Sequence, residues 1–152
     1  MKGIYNKILI AVDGSDLSIA AAEQGIALGR QQDAEISFIY AVDDSFLFNT
    51  TEGFGTPSPV PTDTSNMLES MMAGAYNLLD KLEKQAEKEC GKFVEQGSPK
   101  GEILQKANDL HCDLIVLGTH GRSGLEHVIM GSVAEYVLRH STCPVLVIPA
   151  AA

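Results

Sequence analysis

The stretch Asp113-Leu-Ile-Val-Leu117-Gly118-Thr-His-Gly121 decides how this chain folds. An aliphatic run from Leu114 to Leu117 passes straight into a glycine-punctuated loop. The run is too short for a buried helix and suits a strand covered on both faces. The glycines mark where regular structure must stop and the backbone turn.

The same alternation repeats outward from this point. Toward the N-terminus, Lys7-Ile-Leu-Ile-Ala-Val12 is a second apolar run, broken by Asp13-Gly14-Ser15. Ser15 or Asp16 can cap a helix running to about Arg30. Glu35 to Val42 is a further strand. Asn66, with Glu69 three residues on, opens a long helix in the manner of a capping box. Leu68, Met71, Met72, Ala75, Leu78, Leu79, Leu82 and Ala86 keep helical spacing there, so the two methionines read as core. Lys92 to Gln96 is the third strand in chain order, and Ser98-Pro99 starts a helix that runs through about Leu110. Beyond the glycine loop, Ser132 to His140 is the last helix and Pro144 to Ile148 the fifth strand. Strands and helices taking turns predict an α/β fold: an open five-stranded parallel sheet with helices on both faces.

Composition narrows what such a fold can do. The chain has 152 residues, which suits a single domain with its own core, here taken to span 1–152. A formal net charge of −9 argues against nucleic acid as a partner, because phosphate backbones require clustered Lys and Arg. No apolar run approaches the roughly 20 residues needed to cross a bilayer, and the N-terminus has no signal-peptide pattern. Cys90, Cys112 and Cys143 are scattered and odd in number, as expected of buried thiols in a reducing cytoplasm. Residues from about 43 to 65, rich in Gly, Pro, Ser and Thr, form a long loop insertion. It exceeds ordinary connections, and two readings stand open: a functional lid or a disordered segment.

In open parallel sheets, ligands sit beyond the carboxyl ends of the strands, where strand order reverses. Ala11-Val12-Asp13, Ala41-Val42 and Leu117-Gly118 all fall at such ends. The last leads into Gly118-Thr-His-Gly121-Arg122-Ser-Gly124 and then Gly131-Ser132 at the start of a helix. Glycines let successive N–H groups converge on an anion, and a helix N-terminus adds unpaired N–H groups and a positive pole. Ser132 can add a hydroxyl, and Arg122 is the one cation in the loop. A tight turn followed by a helix cap would need the same residues, so spacing alone leaves both readings open. Asp13 is equally open between a ligand contact and an Asx-turn. No basic residue lies between Arg30 and Lys81. A phosphate would therefore rest mainly on backbone N–H groups, with or without a divalent cation such as Mg2+ or Mn2+. His120 and His127 lack a recognised metal-ligand spacing.

Gly118, Gly121, Gly131 and Ser132 satisfy the pattern G-x2-G-x9-G-[ST], which resembles the nucleotide-binding signature of universal stress proteins. The resemblance extends along the chain: Lys7 to Ser15 is similar to that family's first strand and turn. Gly97-Ser-Pro99 resembles its entry to the third helix, Asp113 to Gly118 its fourth strand and Cys143 to Ile148 its last. It implies a Rossmann-like sheet of the adenine nucleotide alpha hydrolase type, with strand order 3-2-1-4-5, and ATP as ligand. By that resemblance Ala11, Val12 and Asp13 line the adenosine crevice and Ala41 meets the adenine edge through its backbone. Leu117 and Gly118 border base and ribose. His120, Gly121, Arg122, Gly131, Ser132 and Val133 surround the phosphates. Ala11 stands where some ATP-binding members carry proline. The resemblance also implies a homodimer through the fifth strand, Val145 to Ile148.

No G-x-S-x-G elbow and no P-loop lysine motif occurs, so a dedicated enzyme is not indicated. A nucleotide-dependent switch in stress response is favoured. A slow ATPase or autophosphorylating protein, and a nucleotide-independent dimeric interaction protein, are the alternatives.

Overall fold

The computed structural model describes residues 3–45, 62–120 and 130–149. Five strands form one parallel sheet: β1 (Lys7–Val12), β2 (Glu35–Val42), β3 (Gly91–Gln96), β4 (Leu114–Gly118) and β5 (Val145–Ile148). Among the described residues, the helices that connect them are α1 (Asp16–Gln31), α2 (Thr62–Ala86), α3 (Pro99–Asp109) and α4 (Ser132–His140). The strand order is β3-β2-β1-β4-β5, as the family resemblance implied. Every neighbouring pair is parallel.

The three inner strands are buried on both faces, which is why they read as continuous apolar runs. Ile8, Ile10, Phe38 and Val116 turn to one face with Ala22 and Ile26 of α1 and Leu79 and Leu82 of α2. Leu9, Ile39, Ile115 and Leu117 turn to the other, against Ile103 and Ala107 of α3 and Val137 of α4. Two glycines let α1 lie close on the sheet. A Cβ at Gly25 would come within 2.8 Å of Ile10 Cδ1, and one at Gly29 within 2.6 Å of Ile36 Cδ1.

Chain ends of the elements follow the expected chemistry with two adjustments. Ser15 is the N-cap of α1, its hydroxyl accepting from the Ser18 N–H at 3.2 Å. Ser98 caps α3 by backbone position only, because its side chain makes no capping bond. The Ser98 carbonyl accepts from the Glu102 N–H instead. The long helix starts at Thr62 rather than Asn66, so the connection after β2 ends earlier than 65. The remainder of that expected insertion, 46–61, lies outside the described residues.

Two polar devices fix the sheet's frame. The Asp113 carboxylate accepts from the backbone N–H groups of Asn6 at 2.8 Å and Lys7 at 3.0 Å, while the Asp113 N–H donates to the Lys7 carbonyl. This clamp aligns β1 with β4. On the opposite edge, Lys92 of β3 bridges Asp80 and Glu83 of α2, each at 2.9 Å. Glu83 also accepts from the Cys90 N–H at 2.9 Å.

Candidate functional site

Order reverses between β1 and β4, and a cleft of about 250 Å3 opens at the carboxyl ends of these strands. Its inner wall is apolar, built from Ala11, Ile39, Ile103, Leu117 and Ala134. Its mouth carries Asp13, Asp43, Thr119, His120 and Ser132. Of the residues singled out in the sequence, Ala11, Val12, Asp13, Ala41, Leu117, Gly118, His120, Gly131, Ser132 and Val133 all line it. Gly121 and Arg122 lie outside the described residues, as do Gly124 and His127.

Each wall is set by local chemistry. Gly118 ends β4 against α1, where a Cβ would stand 3.1 Å from Leu17 Cγ. The Val42 carbonyl accepts from the Gly97 N–H at 3.0 Å and so faces β3. Backbone groups alternate in direction along a strand, which turns the Ala41 carbonyl toward β1 and the cleft.

Asp13 sits in a fully specified turn. Its Oδ1 accepts from the Ser15 N–H at 2.9 Å and from the Ser15 hydroxyl at 2.6 Å, an Asx-turn. Its N–H donates to Ser18 Oγ at 3.2 Å, and the Tyr40 hydroxyl donates to its carbonyl at 3.0 Å. Gly14 follows with φ at 85°, a conformation that favours glycine. The Asx-turn thus engages Oδ1, while Oδ2 keeps no hydrogen bond among the described residues.

At the other side, the Gly131 N–H donates to the Thr119 carbonyl at 2.6 Å, and the Thr119 N–H donates to the Ile148 carbonyl at 2.9 Å. Gly131 is the N-cap of α4 and brings no side chain to satisfy the first turn. The N–H groups of Ser132, Val133 and Ala134 have no intrahelical acceptor and lie where α4 meets the cleft. Thr119, buried at 8% exposure, was not singled out in the sequence. Its Oγ1 lies 3.0 Å from His120 Nδ1. Tyr40 and Ser18 were missed likewise, since an interior strand residue and a helix serine carry no motif, and Pro99 was read only as a helix opening. No group of three or more His, Cys, Asp or Glu converges to hold a metal among the described residues.

Elsewhere, burial pushes the Cys112 thiol up to about 11, with Cys143 and Asp113 nearby adding to the shift. Burial likewise raises the Cys90 thiol. A raised thiol pKa works against nucleophilic activation at both positions.

A doubly wound parallel sheet with a cleft at its switch point, bordered by a helix N-terminus, is the architecture in which open α/β folds place their ligands. The model of the universal stress protein family matches residues 4–149, and the chain belongs to that family. Universal stress protein MJ0531 of Methanocaldococcus jannaschii is 38% identical over 152 residues, covering 97% of this chain and 84% of the relative. Among solved structures, universal stress protein UspA from Lactobacillus plantarum superposes with a TM-score of 0.81 at 28% identity, covering 95% of this chain and 97% of that one. A universal stress protein family protein from Arabidopsis thaliana with AMP bound shares the fold. Its TM-score is 0.65 at 20% identity, covering 97% of this chain and 93% of that one. Among the described residues no helix is long and apolar enough to cross a membrane.

Proposed function

We propose that this protein binds ATP in the switch-point cleft and acts as a nucleotide-dependent module of stress response in the cytoplasm. One observation carries the reading: the ends of β1 and β4 and the N-terminus of α4 converge on a single cleft. Its inner wall suits a base, and its helix terminus suits phosphate. The Thr119 carbonyl occupies the Gly131 amide, so the proposed phosphate donors are the N–H groups of Ser132, Val133 and Ala134. The Ser132 hydroxyl adds to these, and Gly121, Arg122 and His120 complete the proposed set. Ala11, Val12, Asp13, Ala41, Leu117 and Gly118 take the adenosine, and the family member with AMP bound supports an adenine nucleotide. Asp13 and Asp43 make the mouth acidic, so Mg2+ or Mn2+ accompanies the triphosphate in this reading. The proposal is for binding, not for a dedicated enzyme. Mass spectrometry of ligand released from freshly purified protein tests it. ATP is the expected result, and titration calorimetry showing no ATP binding would overturn it.

A second reading concerns the edge of the sheet. β5 is an outer strand, with Leu146 at 36% exposure and Leu138 of α4 at 41%. An apolar open edge favours a homodimer through Val145 to Ile148. Size-exclusion chromatography with light scattering tests this, and a monomer would refute it.

A further inference from the structure

We propose that Ser18 and Tyr40 are positioning residues that hold Asp13 so that its carboxylate reads a ribose hydroxyl. This inference rests on the nucleotide reading above. The Asp13 peptide is gripped from both sides. Ser18 Oγ, from α1, accepts its N–H at 3.2 Å, and the Tyr40 hydroxyl, from β2, donates to its carbonyl at 3.0 Å. The Ser18 hydroxyl passes its own proton to the Ser15 carbonyl at 2.9 Å, which fixes Oγ as an acceptor toward Asp13. Ser15 in turn holds Oδ1 by two bonds. Ser18 and Tyr40 are both buried, at 5% and 9% exposure, and buried polar groups that are fully paired specify one geometry.

The outcome is an Asp13 whose N–H, carbonyl and Oδ1 are all committed to the protein. Its remaining oxygen, Oδ2, is the group left to accept from a ligand. A carboxylate repels phosphate but accepts strongly from a hydroxyl, so the chemistry it selects on an adenine nucleotide is the ribose. Preorganisation matters because an acceptor already held in place loses little freedom on binding. Ser18 and Tyr40 thereby set selectivity for ribonucleotides over deoxyribonucleotides without being required to touch the sugar.

The test compares ATP, 2′-deoxy-ATP and 3′-deoxy-ATP by calorimetry on the whole protein. The unsubstituted chain should prefer ATP over at least one deoxy analogue by roughly tenfold, as expected for a charge-assisted hydrogen bond. Tyr40→Phe, which keeps the ring, should weaken ATP about threefold to tenfold while leaving that analogue nearly unchanged. Ser18→Ala should act in the same direction. In an Asp13→Ala background, Tyr40→Phe should add nothing further, because it acts through the same carboxylate. An equal loss for ATP and analogue, or full additivity with Asp13→Ala, would overturn the inference. So would a wild-type protein that binds all three nucleotides alike, an outcome that leaves the nucleotide reading standing. A wild-type protein that binds none of them would remove both.

Discussion

The Gly131 N–H and the Thr119 carbonyl meet at 2.6 Å, joining the two ends of the connection between β4 and α4 beside the cleft. That bond anchors the start of α4 to the end of β4, and its donor is no longer available to a ligand. It follows that Gly131 matters for the space it leaves rather than for its amide. Its φ of −70° is open to any residue. Gly131→Val should therefore fold with a melting temperature within a few degrees of the parent, yet bind ATP at least tenfold more weakly. Calorimetry alongside a thermal melt checks this, and unchanged affinity would refute the placement of phosphate at α4.

A second expectation concerns metal. With Asp13 and Asp43 at the mouth, a bare triphosphate meets negative charge, so chelation with excess EDTA should weaken ATP binding about tenfold or more. Titration with and without added Mg2+ or Mn2+ reads the effect. Indifference to chelator would mean that backbone N–H groups and Arg122 suffice.

The pairing of Glu83 sets an acid limit on stability. The Cys90 N–H, then Lys92, hold the Glu83 carboxyl below the usual carboxylate range. A group depressed on folding contributes stability above its unfolded value, near 4.3, and loses it as pH falls through the folded value. Denaturant midpoints should fall as pH drops through and below the unfolded value, and Glu83→Gln should flatten that slope while lowering stability at neutral pH. A variant with the parent's full acid dependence would assign the effect elsewhere.

The close seat of α1 gives a purely mechanical prediction. Gly25→Leu places its Cβ 2.8 Å from Ile10 Cδ1 and 3.3 Å from Val116 Cγ1, in the buried core. Overpacking of this kind costs about 1–3 kcal/mol, read as a lower denaturant midpoint. A variant as stable as the parent would show that α1 can lift from the sheet at no cost.

Much of this fold was legible because the inner strands, buried on both faces, announce themselves as short, largely apolar runs. Lys7 to Val12 and Glu35 to Val42 are examples, and the expected strand order agrees with the observed one. The start of α2 was less legible, since Thr62 to Ser65 are as common in turns as in first helical turns. At the site, the glycines and strand ends stood out, but the hydrogen bonds that organise them did not. Asp13 looked like a choice between turn and ligand contact, whereas the turn occupies Oδ1 alone, so the two readings do not compete. Tyr40 and Ser18 are ordinary strand and helix residues in the sequence. Their role arises only when β2 and α1 bring them to one peptide.

The Asp113 clamp on Asn6 and Lys7 has a kinetic consequence. It spans more than 100 residues of chain, as does the β1–β4 pairing that opens the cleft. Closing so long a loop precedes any reward from the contacts it makes, which slows folding in topologies of this type. On the ribosome, β1, α1 and β2 can emerge and dock long before Asp113 is synthesised. The cleft has only half its walls until then, and its completion marks the step at which the whole chain becomes one cooperative unit.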